Sequence, residues 1–333
     1  MRGKMAQRLW FTVALLALAF APAGAAHAQT DAYPNKPVRI IVDSAAGSAN
    51  DVILRIISDR LTNMWNQQVL TVNQPGAGGG IAARAASTSP NDGYTLFFPS
   101  ASAFLALPGA PGVAPNLPIE LPRDFVPIAF AILQPMFIGV SHTLGVNTVP
   151  ELIALAKQKP GEIAFAATGR GRITHLTMEL FQARTGTKLQ FVPYTGGPAQ
   201  AMNDVMSGRV GIVLDGYAGV APALQGNSVK GLAITTPERV ADFPNLPTVA
   251  ETLPGFISGG WSVLVAPLGT SDAIVRKVAA DVRKVLSEPE VVSKLAQIGV
   301  YPRQMTPEEV TAFARSEQQT WRPVLEQVAK QSQ

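Results

Sequence analysis

Two rhythms of apolar residues alternate along this chain, one close-set and one spaced by three and four. Val38, Ile40, Ile41 and Val42 form a β-branched run without clean two-residue alternation, the pattern of a parallel strand covered on both faces. Small residues follow, Asp43-Ser44-Ala45-Ala46-Gly47, and then Val52, Ile53, Ile56, Ile57 and Leu61 recur on one helical face. Ser48 stands three residues before Asp51, the spacing of a capping box, so the pattern predicts a helix starting near Ala49 and ending around Thr62. A second strand over 69–72 completes a βαβ unit.

The same plan continues. A glycine-rich loop over 73–80 feeds a short alanine-rich helix over 81–87, and Asn91-Asp92-Gly93 turns into a strand over 94–98 that ends in Pro99-Ser100-Ala101-Ser102. Proline is dense from Pro108 to Pro127, which predicts an irregular surface excursion, and the apolar run 128–140 holds a strand crossing toward a second unit. Thr148-Val149-Pro150-Glu151 opens a helix running to Lys159. A strand over 163–166, a polar loop over 167–174 and a helix over 175–183 reproduce the strand, loop, helix order of the first unit. Further strands are predicted over 189–194, 210–214, 232–235 and 261–266, with a turn at 195–198 and a helix over 199–206. Two long helices, capped by Ser271 and Thr306, close an α/β chain that shows no residue-level repeat.

A helix start leaves backbone N–H groups unpaired at the positive end of the dipole, so a loop of small residues lets an anion approach them closely. Ser44, Gly47, Ser48, Asn50 and Asp51 are therefore candidates for holding a carboxylate, although Ser48 and Asn50 also suit plain helix capping. Ser100 and Ser102 lie at the carboxyl end of a strand, where open α/β sheets place ligands. The second polar loop contributes Thr168, Gly169, Arg170, Arg172, Thr174 and His175, and the turn after 194 contributes Gly196 and Gly197. Asp215, at a strand terminus, suits either a ligand amine or hydroxyl or the capping of its own turn. The dipole at a helix start disfavours a protonated His175, which points to neutral packing or loop bracing. As a phosphate loop the glycine-rich segment is poor: it lacks the Walker lysine and hydroxyl, and only the relaxed pattern Gly78-x-Gly80-x-x-Ala83 fits, so close packing is the simpler reading.

Composition sharpens this picture mainly by exclusion. Arg2, Lys4 and Arg8 precede an apolar run over 9–21 and then Ala26-His27-Ala28, a secretory signal peptide over 1–28 with cleavage expected after Ala28. Removing those three basic residues from 27 Lys+Arg leaves 24 against 23 Asp+Glu, with no basic run, which speaks against nucleic acid and acidic membranes as partners. The absence of cysteine excludes disulfides, thiolate metal sites and a lipid-anchored cysteine. No G-x-S-x-G occurs, only His142 and His175 remain in the mature chain, and no clustered His and carboxylate spacing suggests a metal. Paired carboxylates for glycoside hydrolysis are not announced by any spacing, so an exported hydrolase is a distant reading.

Several blocks resemble the Bug family, the periplasmic solute-binding proteins of tripartite tricarboxylate transporters. They are Tyr33-Pro34-x-Lys36-Pro37-Val38-Arg39-Ile40-Ile41-Val42, Asn73-x-Pro75-Gly76-Ala77-Gly78-Gly79, Asp92-Gly93-Tyr94-Thr95-Leu96 and Pro247-Thr248-Val249-Ala250-Glu251. Thr174-His175-Leu176 with Glu179-Leu180-Phe181, Tyr194-x-Gly196-Gly197, and Gly260-Trp261 followed by Ala266-Pro267 add to them, in order along the mature chain. The resemblance implies an α/β, type II periplasmic-binding-protein fold: lobe 1 from 29–130 and 252–333, lobe 2 from 131–251, and a ligand cleft between them. It implies no catalysis, no cofactor and no metal. It further implies a monomeric periplasmic receptor that delivers a small organic acid to membrane permease subunits; presentation to a sensor kinase is the alternative. The family's first loop usually ends Gly-Gly-x-x-Asp; here Gly47 and Asp51 are kept while Ser44, Ala45, Ala46 and Ser48 depart. Arg170 and Arg172, where the family often has serine, glycine and asparagine, suggest a ligand with more than one carboxylate. Aliphatic di- or tricarboxylates, acidic amino acids and aromatic acids are all compatible.

Overall fold

The structure is a computed structural model that describes residues 33–106, 113–194 and 198–331. The expected signal peptide with its cleavage point, and the candidates Gly196 and Gly197, lie outside the described residues. Strand β1 (Val38–Val42) runs parallel between β2 (Val69–Asn73) and β3 (Thr95–Phe98). Val38, Ile40 and Val42 have no solvent exposure, which explains the β-branched run, and only Arg39 of this strand reaches solvent. Helix α1 (Ala49–Trp65) begins where the capping pattern puts it, the Ser48 hydroxyl accepting from the Asp51 amide. The reciprocal half differs: the Asp51 carboxylate accepts from the Gly47 amide at 2.9 Å, with Gly47 at φ +78°. The helix also runs past Thr62, because Trp65 is buried and its indole donates to Asp281.

The strand predicted within 128–140 is the backbone of the whole sheet. Strand β4 (Phe125–Val140) pairs antiparallel with β9 (Gly259–Pro267) from Phe125 as far as Pro135, and then from Met136 onward with β7 (Ile212–Gly216). The chain therefore changes partners at Gln134 to Met136 and passes from one half of the sheet to the other. In the second half β5 (Ala164–Ala167) lies parallel between β6 (Gln190–Pro193) and β7, while β8 (Lys230–Ile234) pairs with β4. The order is β2-β1-β3-β9-β4-β7-β5-β6, with β10 (Tyr301–Pro302) also on β4. Thr235 braces the partner change: its hydroxyl accepts from the Met136 amide at 3.0 Å and donates to the Ser258 carbonyl at 2.6 Å.

Helices cover the sheet: α2 (Gly80–Ser87), α3 (Ala101–Phe104), α4 (Val149–Gln158), α5 (Ile173–Thr185), α6 (Pro198–Met206), α7 (Tyr217–Gln225), α8 (Asp272–Ser287), α9 (Pro289–Gln297) and α10 (Pro307–Gln331). Several parts of the chain differ from the sequence expectation. Helix α7 was not expected, since Gly219 and Pro222 hide a buried stripe of Tyr217, Val220 and Ala223 at helical spacing. The region beyond 270 holds three helices instead of two: Glu288 is extended, and Pro289 at the first position of α9 restarts the helix. The described part of the proline-dense stretch keeps Asn116, Glu120, Pro122 and Arg123 at the surface but turns its apolar residues inward. Leu117, Ile119 and Leu121 are buried in the main core, their spacing of two alternating with prolines that masked it.

Candidate functional site

Strand ends and helix starts from both halves of the sheet meet around a cavity of ≈ 480 Å³. The first half contributes the loop between β1 and α1, through Asp43, Ser44, Ser48 and Asn50, and the turn after β3, through Ser100 and Ser102. The second half contributes the loop between β5 and α5, through Thr168, Gly169, Arg170, Arg172 and Thr174, together with Asp215 at the end of β7. Gln134 and Met136 of β4 and Gly260 to Ser262 of β9 form the wall where the halves join. The first residues of α1, Ala49 and Asn50, and of α5, Ile173 and Thr174, line the same space at the positive ends of their helix dipoles.

Asp43 organises the first side. Its side chain has no exposure, and it accepts from the Ser100 amide at 3.2 Å, the Ser100 hydroxyl at 2.7 Å, the Ser44 hydroxyl at 3.0 Å and the Asn50 amide at 3.4 Å. Arg172 completes the set from the other half, its Nη1 standing 3.4 Å from Asp43 Oδ2 and its Nη2 donating to Ser44 Oγ at 3.1 Å. These contacts hold the Arg172 fork across the cleft. The Ser102 hydroxyl makes a second crossing by accepting from the Ile173 amide at 3.0 Å. Thr168 is fixed by Thr174, whose hydroxyl accepts from the Thr168 amide at 3.2 Å. The Arg170 guanidinium lies 5.3 Å above the Phe191 ring. Burial pushes the Asp215 carboxyl up to about 6, against the opposing pull of the Gly216 amide and Arg172.

Of the sequence-predicted candidates, Ser44, Ser48, Asn50, Ser100, Ser102, Thr168, Gly169, Arg170, Arg172, Thr174 and Asp215 line the cavity, both arginines included. Gly47, Asp51 and His175 do not, and each braces a lining loop from behind. Burial alone would raise the Asp51 carboxyl, but hydrogen bonds from Arg55, the Gly47 amide and Asn73 hold it below its ordinary value. Asn73 also donates to the Ser44 carbonyl at 3.0 Å, tying that carboxylate to the loop. The His175 Nδ1 accepts from the Gly171 amide at 3.2 Å and its ring packs 4.1 Å from Phe191, the bracing role its helix position suggested. Sequence reasoning named neither Gln134 nor Trp261 as site residues, gave Asp43 no role of its own within its loop, and read the glycine-rich loop as packing. That loop is closely packed, as read: a Cβ on Gly79, at φ +105°, would stand 3.0 Å from Asp43 Oδ2. It nevertheless lines the cavity through Gly76 to Gly79. The direct signal for Asp43 was its place at the carboxyl end of β1.

Two α/β halves joined by strand crossings, with βα loops from both facing one cavity, define a solute-binding protein of the type II periplasmic plan. Within that class the chain belongs to the tripartite tricarboxylate transporter receptor family, the Bug-type receptors: the family described as "Tripartite tricarboxylate transporter family receptor" matches residues 53–329. The chain is 33% identical over 316 residues to Protein BugT of Bordetella pertussis, covering 94% of this chain and 96% of that protein. Among solved structures it is similar to R. palustris Rpa4515 with adipate, at 29% identity and a TM-score of 0.82, covering 89% of this chain and 98% of that one. It is also similar to MatC (Rpa3494) from Rhodopseudomonas palustris with bound malate, at 25% identity and a TM-score of 0.78, covering 88% of this chain and all of that one. No helix among the described residues is long and apolar enough to cross a membrane.

Proposed function

We propose that this protein is a periplasmic receptor that captures a small organic acid in the cavity and delivers it, unaltered, to the permease subunits of a tripartite tricarboxylate transporter. The observation that carries the reading is that the starts of α1 and α5 open on one cavity from opposite halves of the sheet, with Arg170 and Arg172 beside them. Amide hydrogens at a helix start suit a carboxylate, and the hydroxyls of Ser48 and Thr174 supply further donors. Arg170 and Arg172, on the lining of the second half, suit a second anionic group, Arg172 while also reaching Asp43 and Ser44. The adipate and malate found with the two relatives are acids of this kind. The lobes are 29–130 with 252–333 and 131–251, and closure about the crossings near Gln134 and Ser258 would enclose the acid. His175 is turned to Gly171 and Phe191, behind the loop, away from the lining hydroxyls.

Calorimetry with adipate and L-malate on the Arg170→Ala and Arg172→Ala variants tests this. A micromolar complex corresponds to about 8 kcal/mol, and losing one charge-assisted hydrogen bond costs roughly 1.5 to 3 kcal/mol, so each variant is expected to bind at least about tenfold more weakly. Unchanged affinity in both variants would remove the arginines from the account.

A further inference from the structure

One polar group in the cavity wall is left without a partner. Gln134 is 8% exposed and lines the cavity, and its Nε2 is enclosed with no hydrogen-bond partner among the described residues. Buried amide donors are rarely left so in proteins, and an orphan at a concave site marks a place where another molecule completes the pairing. Its position is also particular. Gln134 pairs with Gly260 across β4 and β9, next to the point where β4 leaves β9 for β7, and its side chain lies against glycines of both halves. A Cβ on Gly216, from the second half, would stand 2.0 Å from Nε2, and one on Gly260, from the first, 3.0 Å from Oε1. Both flanking positions are thus kept clear of side chains, which gives the carboxamide a seat that straddles the crossing.

Resting on the carboxylate-receptor reading above, we propose that Gln134 is a specificity-determining residue whose amide N–H donates to a second oxygen-bearing group of the ligand, remote from the carboxylate held by the helix starts. The terminal torsion of a glutamine is broad, so rotation of the amide within the glycine-flanked seat delivers the donor to the cavity as the ligand settles. The ligand is then an acid with a second hydrogen-bond acceptor, a dicarboxylate or a hydroxy- or oxo-acid, and a monocarboxylic acid with an apolar tail leaves the amide unpaired. Discrimination arises from that unpaired donor as much as from the bond gained.

The test compares adipate with hexanoate, which lacks the second carboxylate on the same carbon chain, by calorimetry on the full mature chain. Gln134→Met keeps the length of the side chain and removes the donor; Gly216→Ala keeps the glutamine and displaces its amide. The wild type is expected to favour adipate by roughly tenfold or more, and both variants to lose roughly that factor for adipate while hexanoate changes by about twofold at most. Unfolding midpoints of the unliganded proteins show whether either variant is compromised in folding, and the other then carries the comparison. Adipate affinity and preference unchanged in a folded variant overturn the assignment of Gln134 and leave the receptor reading standing. A wild type that binds no carboxylic acid removes both.

Discussion

At Asp215 the surroundings set both the charge and its consequence. The carboxyl lines the cavity and burial lifts it from 3.8 to about 6, so it takes up a proton more readily in the folded chain than in the unfolded one. Because the folded value lies above the unfolded one, the stability this residue contributes is fully present below the unfolded value and is lost as pH rises through about 6. The same titration acts on binding, since an ionised Asp215 repels a ligand carboxylate in the shared cavity. Affinity for adipate, corrected for ionisation of the acid and buffer, is therefore expected to rise several-fold from about pH 7.5 to about pH 5.5, and Asp215→Asn to flatten the profile. A profile equally steep in the variant would place the titrating group elsewhere. Asp51 works in the opposite direction: its folded value is lowered, so its contribution is lost as pH falls.

How far single residues were legible depended on whether their role is local. Ser48 caps α1 from a spacing visible in the sequence, and His175 braces its own loop from one turn away. Asp43 depends on Arg172, 129 residues distant, and on Ser100, so no local spacing announces it. Gln134 sits in an apolar run where a lone glutamine passes for a tolerated polar residue until the sheet topology puts it at the crossing.

At the scale of elements, β4 carries the architecture and its packing shows why its sequence is so apolar. Only two of its sixteen residues are not buried, because helices and neighbouring strands cover it along both halves of the sheet. Gly139 marks where β7 and β8 close on it: a Cβ there would meet Val213 Cγ1 and Val229 Cγ1, each at 2.9 Å. Both neighbours are β-branched and stiff, so Gly139→Ala is expected to destabilise the fold by about 1 to 3 kcal/mol, read as a lower urea midpoint at unchanged slope. An unchanged midpoint would show that the strands yield at this point. The sequence displayed β4, β1 and α1 through their apolar periodicity. It concealed α7, whose glycine and proline break the local pattern while tertiary burial of Tyr217, Val220 and Ala223 still enforces a helix. Pro289 likewise divided a region whose apolar rhythm reads as continuous.

For the whole molecule, the fold followed from the order of strands and helices, whereas the site follows from which loops that order brings together. The loop after β1 and the loop after β5 are far apart in sequence and become neighbours because β4 and β9 carry the chain across and back. Arg172 to Asp43 and Ile173 to Ser102 then tie the two sides directly, so that an acid entering the cavity meets donors from both. A receptor built this way gains by closing over its ligand, since each half supplies groups the other lacks. The most direct test is a crystal structure of the mature protein grown with adipate. The account predicts the intact acid inside the cavity, with one carboxylate at the starts of α1 and α5 and the other near Arg170 and Gln134. An acid seated outside that cavity, or recovered in chemically altered form, would contradict it.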